Sequence, residues 1–244
     1  MPQAAIDLHV HTALSPCGDE RMRPPEILLT AERLGISVLG IVDHSTAGNA
    51  GAIMEAAAAF AVRVFVGVEV ESAEGVHLLG LFDSAEAAMT MDAEVAEHLP
   101  GLTNRPEILG EQHLLDAWGE VVGIEQRLLI AATDRTVEQL ADSIHACGGM
   151  ALPAHVDRTA HGLFPMLGFV PPRLQVELFE VSRHLDLTEA RRRWPELPLL
   201  TSSDAHQLDA LGQAVTWIPE ELAWAPLGAR DWGQAVAEVL RARS

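Results

Sequence analysis

The sequence contains no lysine: its 16 basic residues are all arginine, against 35 acidic ones, for a formal net charge of -19. Nonspecific binding to long nucleic acid relies on Lys and Arg neutralising phosphates, so a long polyanion is disfavoured as a partner. Divalent cations would offset part of the negative charge locally and ease the entry of a small phosphorylated molecule. Cysteine is nearly as scarce, and Cys17 and Cys147 alone cannot form a disulfide framework. No apolar run reaches the length of a membrane span, and the opening MPQAAIDLHVHT lacks a basic region followed by an apolar stretch. The expectation is a cytoplasmic protein without a membrane partner. Internal repeats, low-complexity tails and Ser/Gly linkers are missing too, which favours one domain over residues 1–244. Hydrophobic residues make up 48% of the chain, enough for a large core. Nothing in the sequence sets an oligomeric state.

What is present is an alternation of short apolar runs with longer helical stretches. Strands are expected at Ala4 to Val10, Val38 to Val42, Val64 to Val70, Val76 to Phe82, Gly149 to Ala154, Leu174 to Phe179 and Leu197 to Thr201. Helices are expected at Pro25 to Leu34, Ala50 to Val62, Ala85 to His98, Val137 to Ala146 and Asp186 to Trp194. Pro24 and Pro25 suit a helix start and Gly35 its end, while Thr136 and Gln139 form a capping box. This order predicts a parallel sheet with helices outside it, closed or nearly closed into a barrel. A doubly wound open sheet is the alternative, but the glycine fingerprint of a dinucleotide fold is absent after the first strand, where HVHTALSPCG stands. No organic cofactor is expected. Residues 102–132 fit neither period and read as an insertion or a lid over the site.

Ligand-type residues stand where apolar runs end: His9 and His11, Asp43 and His44, Glu69 and Glu71, His155 with Asp157 and Arg158, and Asp204 with His206. In a parallel α/β barrel the C-terminal strand ends converge on one face, so clusters far apart in sequence meet there. Side chains two apart on a strand point the same way, so His9 and His11 can serve one metal, and Asp204 and His206 can enter one pocket. Glu69 follows a strongly apolar strand, where an uncompensated carboxylate would be costly and a cation would remove that cost.

These residues carry a resemblance. DLHVHT, VDHS, GVE followed by EGVHLLGLF, PAHVDR and SSDAH occur in the order found in the PHP (polymerase and histidinol phosphatase) phosphoesterases, and the chain resembles that family along nearly its whole length. The resemblance implies a distorted (β/α)7 TIM-like barrel holding three divalent ions of zinc, manganese or iron. Carried over by position, His9, His11, Glu69 and Asp204 would hold the first ion. Glu69 would bridge to a second, completed by His77 and His155, and Cys17, His44 and His206 would hold a third. Cys17 departs from the family, in which many members have histidine there; a thiolate remains a good ligand for zinc or iron. The implied activity is hydrolysis of a phosphoric ester by a metal-activated hydroxide, with Glu69, Asp204 and His206 as catalytic residues. Arg158, Arg183 and His184 are candidates to bind the phosphate. The substrate would be a small phosphomonoester or nucleotide, with short oligonucleotides or histidinol phosphate as alternatives. Asp7 and Asp43 are better placed to orient ligating histidines than to ligate. His98, His113, His145 and His161 match no motif and read as surface or core residues, and Glu71 and Glu74 are unassigned. The rival amidohydrolase in its common binuclear form bridges its metals through a carbamylated lysine, which this chain lacks. A non-catalytic metal-binding module is the other rival.

Overall fold

The computed structural model describes residues 2–243. The described chain runs β1 (Gln3–Val10), α1 (Pro24–Leu34), β2 (Ile36–His44), α2 (Ala50–Ala57), β3 (Arg63–Glu71), β4 (His77–Phe82) and α3 (Ala85–His98). It continues through α4 (Pro106–Leu109), β5 (His113–Leu115), β6 (Val121–Ile124), α5 (Val137–Ala146), β7 (Met150–Pro153), α6 (Leu163–Leu167) and β8 (Phe179–Val181). It ends with α7 (Leu187–Arg193), β9 (Leu199–Thr201), β10 (Thr216–Pro219), α8 (Glu220–Ala223) and α9 (Ala229–Arg241). The helix signals act as expected. Prolines open α1 and Gly35, at φ 71°, closes it; Thr136 and Gln139 cap α5 reciprocally.

The main sheet has the order β10-β1-β2-β3-β4-β7. β1, β2 and β3 are parallel, as their intervening helices require. β4 is antiparallel to both β3 and β7, which corrects the all-parallel expectation. No helix separates β3 from β4, and a short turn can join only antiparallel neighbours. The sheet curls. Beyond β7 the chain meets β8 through Val156 N–H to the Glu180 carbonyl (2.8 Å) and Glu177 N–H to the Ala151 carbonyl (3.1 Å). β8 pairs with β9 in parallel, and Ala205, just past β9, bridges in parallel to Val10. The expected strand over Leu174 to Phe179 shares only Phe179 with β8, because Leu174 N–H turns back to the Pro171 carbonyl. The helix expected to reach Val62 stops at Ala57, where the chain turns back toward β3.

The interior face of the curled sheet explains where the ligand-type residues lie. Alternate residues share a face. Val38 and Val42 lead up to His44; Phe65 and Gly67 lead to Glu69; Leu81 and Leu79 lead to His77 on the reversed strand. Gly67 is required where it stands: a Cβ there would come within 1.7 Å of the Gly80 carbonyl oxygen. On β1 the interior column is Ala4, Ile6 and Leu8, of opposite parity to the two histidines. A register shift between Asp7 and Val10 resolves this, since a slip of one residue exchanges faces. Val10 thereby joins the outer core with the helices, and His9 and His11 turn inward. The opposite end of the interior is closed by α9, whose Trp232 is fully buried with its ring 4.9 Å from that of Phe65.

Residues 102–132 hold α4 and the β5–β6 hairpin. The hairpin is tied to the loops after β1 and β2 by His113 N–H to the Ala13 carbonyl and by Asn49, which bonds the backbone of both His113 and Leu115. Arg127 anchors its far side on Asp92 and Glu125.

Candidate metal centre

Four side chains from β1, β3 and the turn after β9 converge on one point. His9 Nε2 lies 3.1 Å from His11 Nε2, and Glu69 Oε2 is 3.5 and 3.4 Å from these two nitrogens. Asp204 Oδ1 is 3.4 and 3.5 Å from the same pair. Donors about 2.0–2.1 Å from a central ion stand about 3.3 Å apart at the corners of a tetrahedron. These spacings therefore fit a cation; without one, the two rings pair as imidazolium with the carboxylates, which raises both above the ordinary histidine value despite their burial. The other carboxylate oxygen of Glu69 faces away from this group. Its Oε1 lies 2.8 Å from His77 Nδ1 and 3.3 Å from His155 Nε2, while Oε2 also lies 3.2 Å from His44 Nδ1. Glu69 is thus the shared member of two donor groups. Imidazole and carboxylate together suit zinc, manganese and iron.

The remaining predicted residues fall as follows. His44 and His206 gather with His11 within ligand range of one another; Cys17 lines the same cavity but is not part of that close group. Arg158 lines the cavity and donates to Asp204 Oδ2 at 2.8 Å, so the two oxygens of Asp204 are divided between the arginine and the histidine pair. Arg183 donates to the Ser203 carbonyl at 3.2 Å, and it and His184 form part of the cavity wall. Asp157 accepts both the Ser182 N–H and hydroxyl at 2.7 Å and so ties that wall to the PAHVDR turn. The cavity encloses about 430 Å³, and no residue of 102–132 lines it.

Asp7 and Asp43 bond the backbone and hydroxyl groups around the cluster, not its histidines. Asp43 accepts from the Ser15 hydroxyl (2.7 Å), whose oxygen in turn meets His11 Nδ1 at 2.9 Å, leaving His11 Nε2 free. Asp7 accepts the Ser203 and Gly212 N–H groups and fixes the turn that carries Asp204. Asp204 and His155 both adopt left-handed backbone, at φ 50° and 30°, the kind of strain that surrounding bonds must hold in place. Two features escaped the sequence reading. Glu180 is fully buried, with both oxygens 3.0–3.1 Å from His9 Nδ1. His161, read as a surface or core residue, stacks on His77 with centroids 4.2 Å apart, and its Nδ1 lies 3.5 Å from Glu71.

The electrostatics suit cation capture. Burial alone would raise the Glu69 carboxyl, but His77, His9 and His44 hold it well below the usual carboxylate range. Burial, only partly opposed by Glu69, pushes His44 down to about 3, and burial with His11 pushes His206 down to about 4. Both are neutral near pH 7, with lone pairs available. The charges of Glu69, Asp204 and Asp43 around the cavity disfavour a Cys17 thiolate, which a bound cation would favour.

The metal-free protein therefore has a definite acid response. As pH falls from 6.5, the unfolded chain protonates His44 and His206 while the folded chain does not, and stability is lost until their folded values are reached. Asp7 acts the other way: burial raises it to about 6, so between about 6 and 3.8 the folded state takes up its proton first. His9, His11 and His77, raised by their carboxylate neighbours despite burial, act in the same sense as Asp7 between about pH 7 and 6. The fall due to His44 and His206 is expected to be on the order of a few kcal/mol between pH 7 and 4.5, partly offset by those groups, and is read from urea midpoints of the metal-free protein. His206→Gln should make the fall shallower; an unchanged slope would count against the assignment.

Comparison with known proteins places these residues in a wider setting. The PHP domain family profile matches residues 7–181, well over half the chain, and a PHP-associated profile matches residues 189–243. An uncharacterized protein of Methanocaldococcus jannaschii is 34% identical over 84 residues, covering 31% of this chain and 48% of that protein. The lesion-specific endonuclease PfuEndoQ from Pyrococcus furiosus has a similar fold, with a TM-score of 0.65 at 16% identity, over 88% of this chain and 52% of that one. The chain thus spans about half the length of both. A candidate metal-dependent phosphoesterase from Bifidobacterium adolescentis aligns over 88% of this chain and 93% of its own, with a TM-score of 0.60 at 19% identity. Among the described residues, no helix is long and apolar enough to cross a membrane.

Proposed function

The chain belongs to the PHP domain family of metal-dependent phosphoesterases, and from that premise we propose that it hydrolyses a small phosphomonoester or nucleotide. The observation that carries this reading is the convergence of His9, His11, Glu69 and Asp204 at spacings of 3.1–3.5 Å beneath a cavity with arginines on its wall. We assign His9, His11, Glu69 and Asp204 to a first ion, Glu69, His77 and His155 to a second, and His44, His206 and Cys17 to a third. Bound divalent ions would lower the pKa of water and neutralise charge on the phosphoryl oxygens.

The chain's own residues supply the rest. Glu69 holds the donor groups on either side of its carboxylate together. Arg183 and His184 line the cavity and would present N–H donors to a phosphate. Arg158 neutralises Asp204 Oδ2 and keeps Oδ1 turned toward the histidines. A closed barrel of the (β/α)7 type, with residues 102–132 as an insertion at its rim, would place all of these on one face.

A second reading is a nuclease acting on short oligonucleotides. It is favoured by the fold shared with an endonuclease and opposed by the net charge of -19. The deciding experiment is a phosphatase and phosphodiesterase screen with manganese and zinc in parallel. Turnover of a small phosphomonoester or nucleotide, abolished by chelator, is the expected result. Turnover confined to oligonucleotides would move the assignment to a nuclease. Stoichiometric metal with no turnover on any phosphoester would overturn the enzymatic reading.

A further inference from the structure

Glu180 sits at the centre of β8 between Phe179 and Val181, fully buried and outside the cavity lining. No arginine bonds its carboxylate among the described residues. A buried carboxylate left in that state is costly unless its hydrogen bonds compensate. Its bonds are three. Oε1 and Oε2 lie 3.1 and 3.0 Å from His9 Nδ1, and Oε1 also accepts the backbone N–H of His155 at 3.2 Å.

Each bond acts on a donor of the metal centre. An ionised carboxylate only accepts, so Nδ1 of His9 carries a proton toward Glu180, and Nε2 is the atom turned to His11, Glu69 and Asp204, where it would ligate a cation. The His155 N–H belongs to a residue at φ 30°, a backbone conformation that an L side chain adopts only when neighbours hold it. That conformation directs His155 Nε2 to Glu69 Oε1. His9 lies on the Oε2 side of Glu69 and His155 on the Oε1 side. One carboxylate behind the cluster therefore reaches donors on both sides of the shared glutamate.

We propose that Glu180 is a positioning residue that sets the cation affinity of both donor groups together, through the ring of His9 and the backbone of His155. The inference rests on the reading of these groups as cation seats. Its consequence is that loading of the two is coupled even though no side chain other than Glu69 is common to both.

The test is metal binding by chelator competition and stoichiometry, with zinc and manganese, on the intact protein. Glu180→Gln keeps the volume and an acceptor for His9 but removes the charge. Affinity is expected to fall about 10–100-fold for two ions at once. Excess metal should restore kcat to the wild-type level, which damage to the fold would not allow. Glu177→Gln is the control: Glu177 is buried three residues earlier and bonds His145, Ala151 and Arg230, away from the cluster. It should alter stability and leave metal affinity unchanged. If Glu180→Gln does not fold, Glu180→Asp keeps the charge but withdraws it by one methylene, and an intermediate loss is expected. Wild-type affinity in the folded variant, or weakening of a single ion, overturns the proposal while leaving the metal-centre reading intact. A wild-type protein that binds no cation removes both.

Discussion

Replacing Glu69 with glutamine is expected to lower kcat/KM by more than about 10²-fold, the upper end of what losing a mere outer partner of a metal ligand brings about. The reason lies in the two oxygens. Oε2 faces His9, His11 and His44, and Oε1 faces His77 and His155. Glutamine keeps one carbonyl oxygen and turns an NH2 group toward whichever set it abandons. A donor then confronts imidazole nitrogens that were arranged around an acceptor. The Glu69 charge that raises His77 also disappears, leaving Glu71 as the carboxylate beside that ring. Folding should survive, because removing a buried carboxylate relieves a desolvation cost as well as breaking contacts. The measurement is metal stoichiometry beside phosphoesterase activity. A variant with full metal content and full activity would rule out Glu69 as the shared ligand.

The second large effect is structural. Trp232→Ala should destabilise the protein by about 3–5 kcal/mol, as truncation of a buried aromatic generally does. For a chain of this size that corresponds to a fall in Tm of about 6–20 °C. Trp232 is fully buried against Phe65, donates from its indole to the Leu222 carbonyl at 2.9 Å, and lies under the Arg63 guanidinium. It closes the end of the interior opposite the metal centre, so the folded fraction should bind metal with wild-type stoichiometry. Thermal unfolding with and without metal separates the two effects; a loss of metal at temperatures where the variant remains folded would show that the two ends are linked.

How much of this was legible in the sequence depends on which contacts were local. The strand–helix alternation and the ligand-type residues at strand ends could be read because apolar periodicity marks them. α1 and α5 were readable from Pro24, Gly35, Thr136 and Gln139, which act within one turn. The end of the chain was not: β10 and α9 follow the last expected strand, and their place is set by pairing with β1 and by packing on Phe65. Arg158 was readable as a site residue but not as the partner of Asp204, since that contact depends on the unusual backbone of the His155 turn. Glu180 could have been found. A glutamate within LFEV poses the same burial problem as Glu69 within VFVGVEV, and the argument that singled out one applies to the other. His161 carried no such signal, because its stacking on His77 arises from a loop that folds back over β4.

The parallel bridge between Val10 and Ala205 has a consequence for how the protein is made. It joins the first strand to a segment synthesised about 195 residues later. At about 5–20 residues per second, His9 and His11 emerge roughly 10–40 s before Asp204. From the synthesis of Glu69 onward, the nascent chain displays histidines and Glu69 without the Asp204 carboxylate that completes their set. A product that stops prematurely after β8 would carry most of the donors and none of the closing turn, and so could scavenge cations without holding them in order.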